Sequence, residues 1–337
     1  MRVLRVLFLG GTGIISTACV AEAVRRGHEV HILNRGADAT RPVPDGAIVH
    51  IADVRDGDSM AAALGALQFD VVAQFLGFLP EQVSADIAFF AGRTRQYVYV
   101  SSASAYQTPP THLPITESTP LSNPYWQYSR SKIACEDVLI AAYRAAGFPV
   151  TIVRPSHTYD RTMLPFDGGW TVVDRMRRGK GVVVPGDGTS LWTITHHTDF
   201  ARGFVGLFGR HEALGEAFHI TGSESPTWNY IYRTIATAAG VDEPDLVHVP
   251  SDAIAAIDNE WGAAMLGDKS NSMIFDNSKI TRLVPEFRTT VPFAQGAREI
   301  LDWYEDHPDQ QVVDPRYDAA MDLLVAAHRP VAREVAA

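Results

Sequence analysis

Apart from Arg5, the stretch Val3 to Leu9 is an unbroken run of apolar, mostly branched residues. A run of that kind fits a strand buried on both faces rather than a half-exposed one. It ends in Gly10-Gly11-Thr12-Gly13-Ile14-Ile15-Ser16, after which apolar residues recur at helical spacing through Val24 and stop at Gly27. Strand, tight turn and helix therefore follow one another. Further apolar stretches at His28–Leu33, Ile48–Ala52, Phe69–Phe75 and Gln96–Ser101 read as strands two to five. A helix is predicted over Asn123–Gly147, starting near Tyr125, and Asp276-Asn277-Ser278-Lys279 is a second helix start. Asp199 is expected to cap the helix that follows it. Strands alternating with helices predict an α/β, doubly wound parallel sheet.

Two places along this pattern carry chemistry. The glycine turn lets the backbone of Gly10, Thr12, Gly13, Ile14 and Ile15 approach a pyrophosphate at a helix N-terminus. At the end of the second strand an acidic residue normally takes the ribose hydroxyl of NAD, whereas Asn34-Arg35 stands there and leans toward NADP; a plain polar turn reads the same way. Asp53-Val54 after the third strand is placed to meet the adenine, and Phe75-Leu76-Gly77 with Phe78 to line the cofactor cleft. The second place is Tyr128-Ser129-Arg130-Ser131-Lys132, where Tyr and Lys share one helix face. An ammonium so placed favours the phenolate, and a tyrosine tuned this way exchanges a proton with a carbinol or a carbonyl.

Composition narrows the class. At 337 residues the chain is long enough for a dinucleotide domain and a smaller cap. Lys+Arg 29 against Asp+Glu 39 gives −10 with no basic block, so no nucleic-acid partner is expected. Cys19 and Cys135 fall in predicted helices and imply neither a disulfide nor zinc. His196-His197 near Asp199 is no ligand set either, since adjacent strand residues face opposite ways, and no metal is assigned. No apolar run of about 18 residues is present for a membrane span. Arg2 and Arg5 before an apolar stretch mimic a signal peptide, but its removal would delete the first strand, and the cytoplasm is the expected compartment.

The ordered set Gly10-x-x-Gly13-x-x-Ser16, Asp53-Val54, Tyr97–Ser102 with Tyr106, Tyr128-x-x-x-Lys132, Val153-Arg154-Pro155-Ser156, and Pro185–Gly188 through Ala201 resembles the extended short-chain dehydrogenase/reductases, the NAD-dependent epimerase/dehydratase family. That resemblance implies a Rossmann-type dinucleotide domain over 1–158, completed by about 192–222. A smaller, interleaved C-terminal α/β substrate-binding cap would occupy 159–191 and 223–330, with a tail at 331–337. It implies NADP or NAD as cofactor, a small-molecule substrate, and a homodimer through the helices of the catalytic domain. Ser102 would bond the reacting oxygen, with Ser101 and Ser104 as rival assignments. Tyr128 would be the acid/base, and Lys132 would hold the nicotinamide ribose. Pro155 and Ser156 would lie beside the carboxamide, and Phe78, Ser104, His157 and Trp192 would face substrate.

Two departures from the family pattern matter. Dehydratases of this kind carry Asp-Glu after the catalytic hydroxyl, where this chain has Ala103-Ser104, so β-elimination is not expected. Nucleotide-sugar enzymes carry an arginine after the Gly-Asp-Gly turn to grip the diphosphate; Trp192 stands there, and an indole donates only one hydrogen bond. The reading is redox-neutral epimerisation of a ring hydroxyl in a sugar, nucleotide sugar or nucleoside-like substrate through a keto intermediate. An NADPH-dependent ketoreductase or alcohol dehydrogenase is the alternative. A non-catalytic nucleotide-sensing or RNA-associated member of the family is the third.

Overall fold

A computed structural model describes residues 2–36 and 41–329; the tail expected at 331–337 lies outside the described residues. In chain order the elements begin β1 (Arg5–Leu9), α1 (Ser16–Arg25), β2 (Glu29–Asn34), β3 (Ile48–Ile51), α2 (Gly57–Leu64), β4 (Val71–Gln74), α3 (Pro80–Phe90) and β5 (Tyr97–Val100). Next come α4 (Gln127–Ala146), β6 (Val150–Pro155), β7 (His157–Tyr159), α5 (Trp170–Arg177), β8 (Val182–Pro185), β9 (Ile194–His196), α6 (His197–Gly206) and β10 (Ala217–Ile220). The chain closes with α7 (Trp228–Ala238), β11 (Leu246–Val249), α8 (Ser251–Ile257), α9 (Asn259–Ala264), α10 (Ser278–Leu283), α11 (Phe293–Asp306) and α12 (Pro315–His328).

Seven strands form one parallel sheet in the order β10-β6-β5-β4-β1-β2-β3. The unbroken apolar character of β1 follows from its central place. Val6 and Phe8 face one layer, packing with Cys19 and Val20 of α1 and with Phe200 and Phe204 of α6. Leu7 and Leu9 face the other, with Met60, Val83 and Leu139 of α2, α3 and α4. Successive side chains of a strand point to opposite faces, so a strand covered on both must be apolar throughout. Strand order reverses between β1 and β4, and in such sheets a crevice opens at the carboxyl ends there.

The chain divides into two compact units. The first comprises Met1–Asp160, Thr193–Glu224 and Ile274–Pro292; the second comprises Arg161–Trp192, Ser225–Met273 and Phe293–Ala337. The first holds the seven-stranded sheet and a small parallel pair, β7 with β9. Within the second, β8 and β11 form a parallel pair.

Two expectations need correcting. Residues 274–292, expected in the cap, group with the first unit: Ile115 N donates to Ile274 O at 2.7 Å, and Ile280, Val284 and Phe287 join the core around α1 and α6. Asp199, expected as a helix cap, is instead the third residue of α6, whose cap is the His196 ring. Its buried carboxylate accepts from Thr290 N at 2.9 Å and Val291 N at 3.0 Å, pinning the returning segment. Both corrections concern pairings between residues far apart in the chain, which local periodicity does not report.

One buried acid sets a pH dependence. Asp86 of α3 accepts from Tyr97 Oη at 2.6 Å and from Gln74 Nε2. Burial pushes its carboxyl up to about 6, against those two hydrogen bonds. The folded state therefore binds more protons than the unfolded one, and this contribution is present below pH ~4 and lost as pH rises through about 6. Relative to Asp86→Asn, wild-type stability is expected to fall by on the order of 3 kcal/mol between pH 4 and 7. Urea denaturation of both proteins across that range measures the difference.

Candidate active site

The first wall of the crevice is the glycine turn between β1 and α1. Gly10 holds φ +79°, and a Cβ there would lie 2.9 Å from Leu76 Cγ, so only glycine fits. Gly13 N donates to Ser16 Oγ at 2.9 Å, which steadies the loop as α1 begins. No side chain caps the N-terminus of α1. Its first amides and positive dipole end are thus what the turn presents to an anion. This is the cradle a dinucleotide pyrophosphate requires. Thr12, Ile14 and Ile15 lie within this turn and the entry to the helix.

Farther along the carboxyl edge, Asn34 Oδ1 accepts from Gly36 N at 2.9 Å and shapes the turn after β2, while Arg35 is exposed beside it. Asp53 Oδ1 accepts from Arg55 N at 2.9 Å, and half-buried Val54 lines a cavity of about 590 Å³ with Arg55, Met60, Ala85 and Phe89. None of the Ser102–Tyr128–Lys132 group lines that cavity. Phe75 packs between Phe8 and Phe204, at ring-centroid distances of 6.1 and 5.2 Å. Leu76 and Phe78 are 37% and 40% exposed at the loop beyond β4.

Ser102 follows β5 and opens a short 3-10 turn over Ala103–Ala105. Its Oγ receives Ser104 N at 3.2 Å and lies 2.8 Å from Ser104 Oγ. Ser129 of α4 donates to Ser104 Oγ at 2.7 Å. Ser102, Ser104 and Ser129 thus form one chain of hydroxyls that ties the Ser102 side chain to α4. Asn123 Nδ2 donates to Ser104 O at 2.8 Å and closes the cluster. Buried Ser104, expected to face substrate, thus sits behind Ser102 as a link to α4. Asn123 and Ser129 were not singled out by sequence; only their closeness to Tyr128 hinted at them.

Tyr128 is half-buried on the first turn of α4, its ring 4.8 Å from that of Trp126. Lys132, one turn on, has its Nζ 5.9 Å from the Tyr128 ring centroid. Only 2% of Lys132 is exposed, and its ammonium donates to Gly77 O and Val100 O, both at 2.9 Å. Burial pushes its pKa down to about 8, with Cys135 and Glu136 pulling the other way. It is therefore still largely charged at neutral pH, and one of its three N–H groups remains for a ligand. Since the unfolded lysine binds its proton more tightly, burial costs stability below pH 8 and the cost fades as pH rises. Lys132→Met is accordingly expected to stabilise the nucleotide-free protein by about 1–3 kcal/mol at pH 7 while weakening dinucleotide binding. Thermal melts and fluorescence titration check the two halves.

The helix is anchored by a buried pair that sequence did not bring together. Arg154 of β6 donates to Glu136 of α4 through Nη2 at 2.6 Å and Nε at 3.0 Å, and Ser101 Oγ donates to the same carboxylate at 2.5 Å. Arg154 also lies 4.8 Å from the Tyr106 ring centroid. Beyond it, Pro155 pairs with Ile220, Ser156 Oγ is 2.8 Å from Thr195 Oγ1, and half-buried His157 pairs with Ile194. Trp192 belongs to the second unit, where it is 2% exposed and stacked on Trp228 at 4.4 Å. Among the described residues no group of three or more His, Cys, Asp or Glu is placed to hold a metal ion, and no helix is long and apolar enough to cross a membrane.

Residues 6–220 match the NAD dependent epimerase/dehydratase family. The chain is 27% identical over 256 residues to the chloroplast stem-loop binding protein of 41 kDa b of Arabidopsis thaliana, a match over 72% of this chain and 65% of that protein, just under two thirds of its length. It is 25% identical over 298 residues to 2'-dehydrokanamycin reductase of Streptomyces kanamyceticus, spanning 85% of this chain and 80% of the reductase. Among solved structures, UDP-glucose 4-epimerase from Bifidobacterium longum in complex with NAD+ and UDP superposes with a TM-score of 0.73 at 20% identity, over 91% of this chain and 99% of that one. At that identity the likeness is one of fold.

Proposed function

The chain belongs to the NAD-dependent epimerase/dehydratase family, and on that premise we propose that it is an NAD(P)-dependent epimerase acting on a ring hydroxyl of a sugar or nucleoside-like substrate through a transient ketone. The observation that carries this reading is the composition of the catalytic cluster. Lys132 Nζ lies 5.9 Å from the Tyr128 ring centroid and donates to Val100 O, just before Ser102, and the positions after Ser102 are the neutral Ala103 and Ser104, both buried. Redox at a carbinol needs one proton acceptor and one hydroxyl donor; elimination would need a carboxylate that this cluster lacks.

The glycine turn fits the cofactor's pyrophosphate, and Lys132 offers an N–H toward its ribose. When bound, the nicotinamide supplies a reversible hydride acceptor. Tyr128 takes the carbinol proton and gives it back to the same oxygen when the carbonyl carbon is reduced again from its other face. Ser102, held in place by Ser104 and through it by Ser129, donates to the same oxygen. Lys132 lowers the cost of the Tyr128 phenolate by its charge. The sequence has Trp192 where nucleotide-sugar enzymes carry a diphosphate-gripping arginine, which supports a substrate without a diphosphate.

A ketoreductase is the second reading, favoured by Arg35 in the ribose position and by the match along 85% of the chain to 2'-dehydrokanamycin reductase. The stem-loop binding relative raises RNA, but a net charge of −10 supports it poorly. Sugars and nucleosides deuterated at single ring carbinol carbons separate the first two. Label retained in an epimeric product without added cofactor is the expected result. Label lost stoichiometrically to added NADP+ would establish the oxidoreductase instead.

A further inference from the structure

We propose that Tyr99 is a positioning residue: its hydroxyl holds the Gly77 carbonyl where the Lys132 ammonium donates to it, and so keeps that charge beside Tyr128. Tyr99 is fully buried in β5, and its Oη donates to Gly77 O at 2.9 Å, the same oxygen that accepts from Lys132 Nζ at 2.9 Å. The ammonium lies 4.9 Å from the Tyr99 ring centroid and 4.6 Å from that of Phe78, on the same short loop. An ammonium over two aromatic faces is favoured by their quadrupoles. The loop is held from its other side as well, since Leu76 N donates to Gln74 Oε1 at 2.6 Å, and Gln74 is bonded in turn to Asp86.

Gly77 completes the argument. A Cβ there would lie 3.0 Å from Tyr99 Cε2 and 3.3 Å from Gln74 Cγ and Val83 Cγ2. Its missing side chain is what lets the Tyr99 ring come under the loop and present its hydroxyl to the carbonyl. The titratable and charged groups around Lys132 are Tyr128, Cys135 and Glu136 of α4 and Tyr99 of β5, with Glu136 already engaged by Arg154 and Ser101. Carbonyl acceptors favour the charged form of a buried lysine. If the hydroxyl is removed, the carbonyl is released and the ammonium loses one of its two fixed acceptors.

The chain contains four lysines, Lys132, Lys180, Lys269 and Lys279, so lysine-selective isotope labelling gives four side-chain signals, with Lys132 assigned by Lys132→Arg. In Tyr99→Phe the Lys132 titration midpoint is expected to fall by about 0.5 pH unit or more, with no ligand present. Tyr99→Phe is further expected to weaken NADPH or NADH binding about tenfold alone, but less than about twofold in a Lys132→Met background. Gly77→Ala, which crowds the same contact from above, is expected to lower the midpoint likewise. An unmoved or raised midpoint, or an equal loss of binding in both backgrounds, overturns the proposal. The inference rests on the catalytic reading of Lys132, but wild-type protein that binds neither dinucleotide would count against that reading alone, since the titration decides the role of Tyr99 independently.

Discussion

Tyr128→Phe is expected to lower turnover by about 10²–10⁴-fold, the usual contribution of a positioned acid/base, while dinucleotide binding changes little. The substitution removes one oxygen from a half-buried ring that packs on Trp126, so the aromatic contact stays and the fold is undisturbed. Lys132 keeps both carbonyl partners, Gly77 and Val100, neither of which belongs to Tyr128. The loss should therefore fall on kcat rather than on KM, because the phenol acts on the proton in flight and not on ground-state affinity. Steady-state rates with the substrate found by the labelling experiment, beside NADPH titration of the same variant, test both halves. Unchanged turnover in Tyr128→Phe would remove the tyrosine from the chemistry and revive the non-catalytic reading.

The largest effect on stability is expected at Arg154. Arg154→Met leaves Glu136 buried with only the Ser101 hydroxyl as partner, and removing one member of a buried ion pair costs about 3–5 kcal/mol. The side chains of Arg154 and Glu136 are 6% and 3% exposed, so solvent cannot take over the missing charge. Replacing both, as in Glu136→Leu with Arg154→Met, removes the desolvation cost together with the attraction and should sit within about 1–2 kcal/mol of wild type. Denaturant unfolding of the two single variants and the double one forms the cycle. The pair joins α4 to β6 and, through Ser101, to the end of β5. Arg154→Met should therefore also loosen Tyr128 and Lys132 against Ser102, lowering kcat beyond what its stability loss explains.

How far such features can be read from sequence depends on how local their causes are. The buried strand Arg5–Leu9, the glycine turn and the helix carrying Tyr128 and Lys132 declare themselves because spacing and glycine conformation act within a few residues. The α/β class follows from those elements in alternation. The family resemblance implies Ser104 as a substrate contact, whereas the structure puts it between Ser102 and Ser129, residues of different elements. Asp199 reads as a cap because it stands near a helix start, yet its carboxylate serves the backbone of Thr290 and Val291. Residues 274–292 return to the first unit through Ile115 and through the core around α1, contacts that no run of nearby residues encodes. Glu136 with Arg154, and Tyr99 with Gly77, are likewise meetings of separate strands, loops and helices. Each is a buried polar group needing a partner, and only the three-dimensional packing shows which partner it finds.

The central claim, that this chain binds a nicotinamide dinucleotide for redox chemistry, is tested most directly on the purified protein itself. The protein is denatured, the released nucleotides are identified by mass spectrometry, and any empty fraction is titrated with NADH and NADPH. The expected result is NAD or NADP released in near-stoichiometric amount, or micromolar binding of one of them by the empty protein. Protein that releases neither and binds neither would contradict the account.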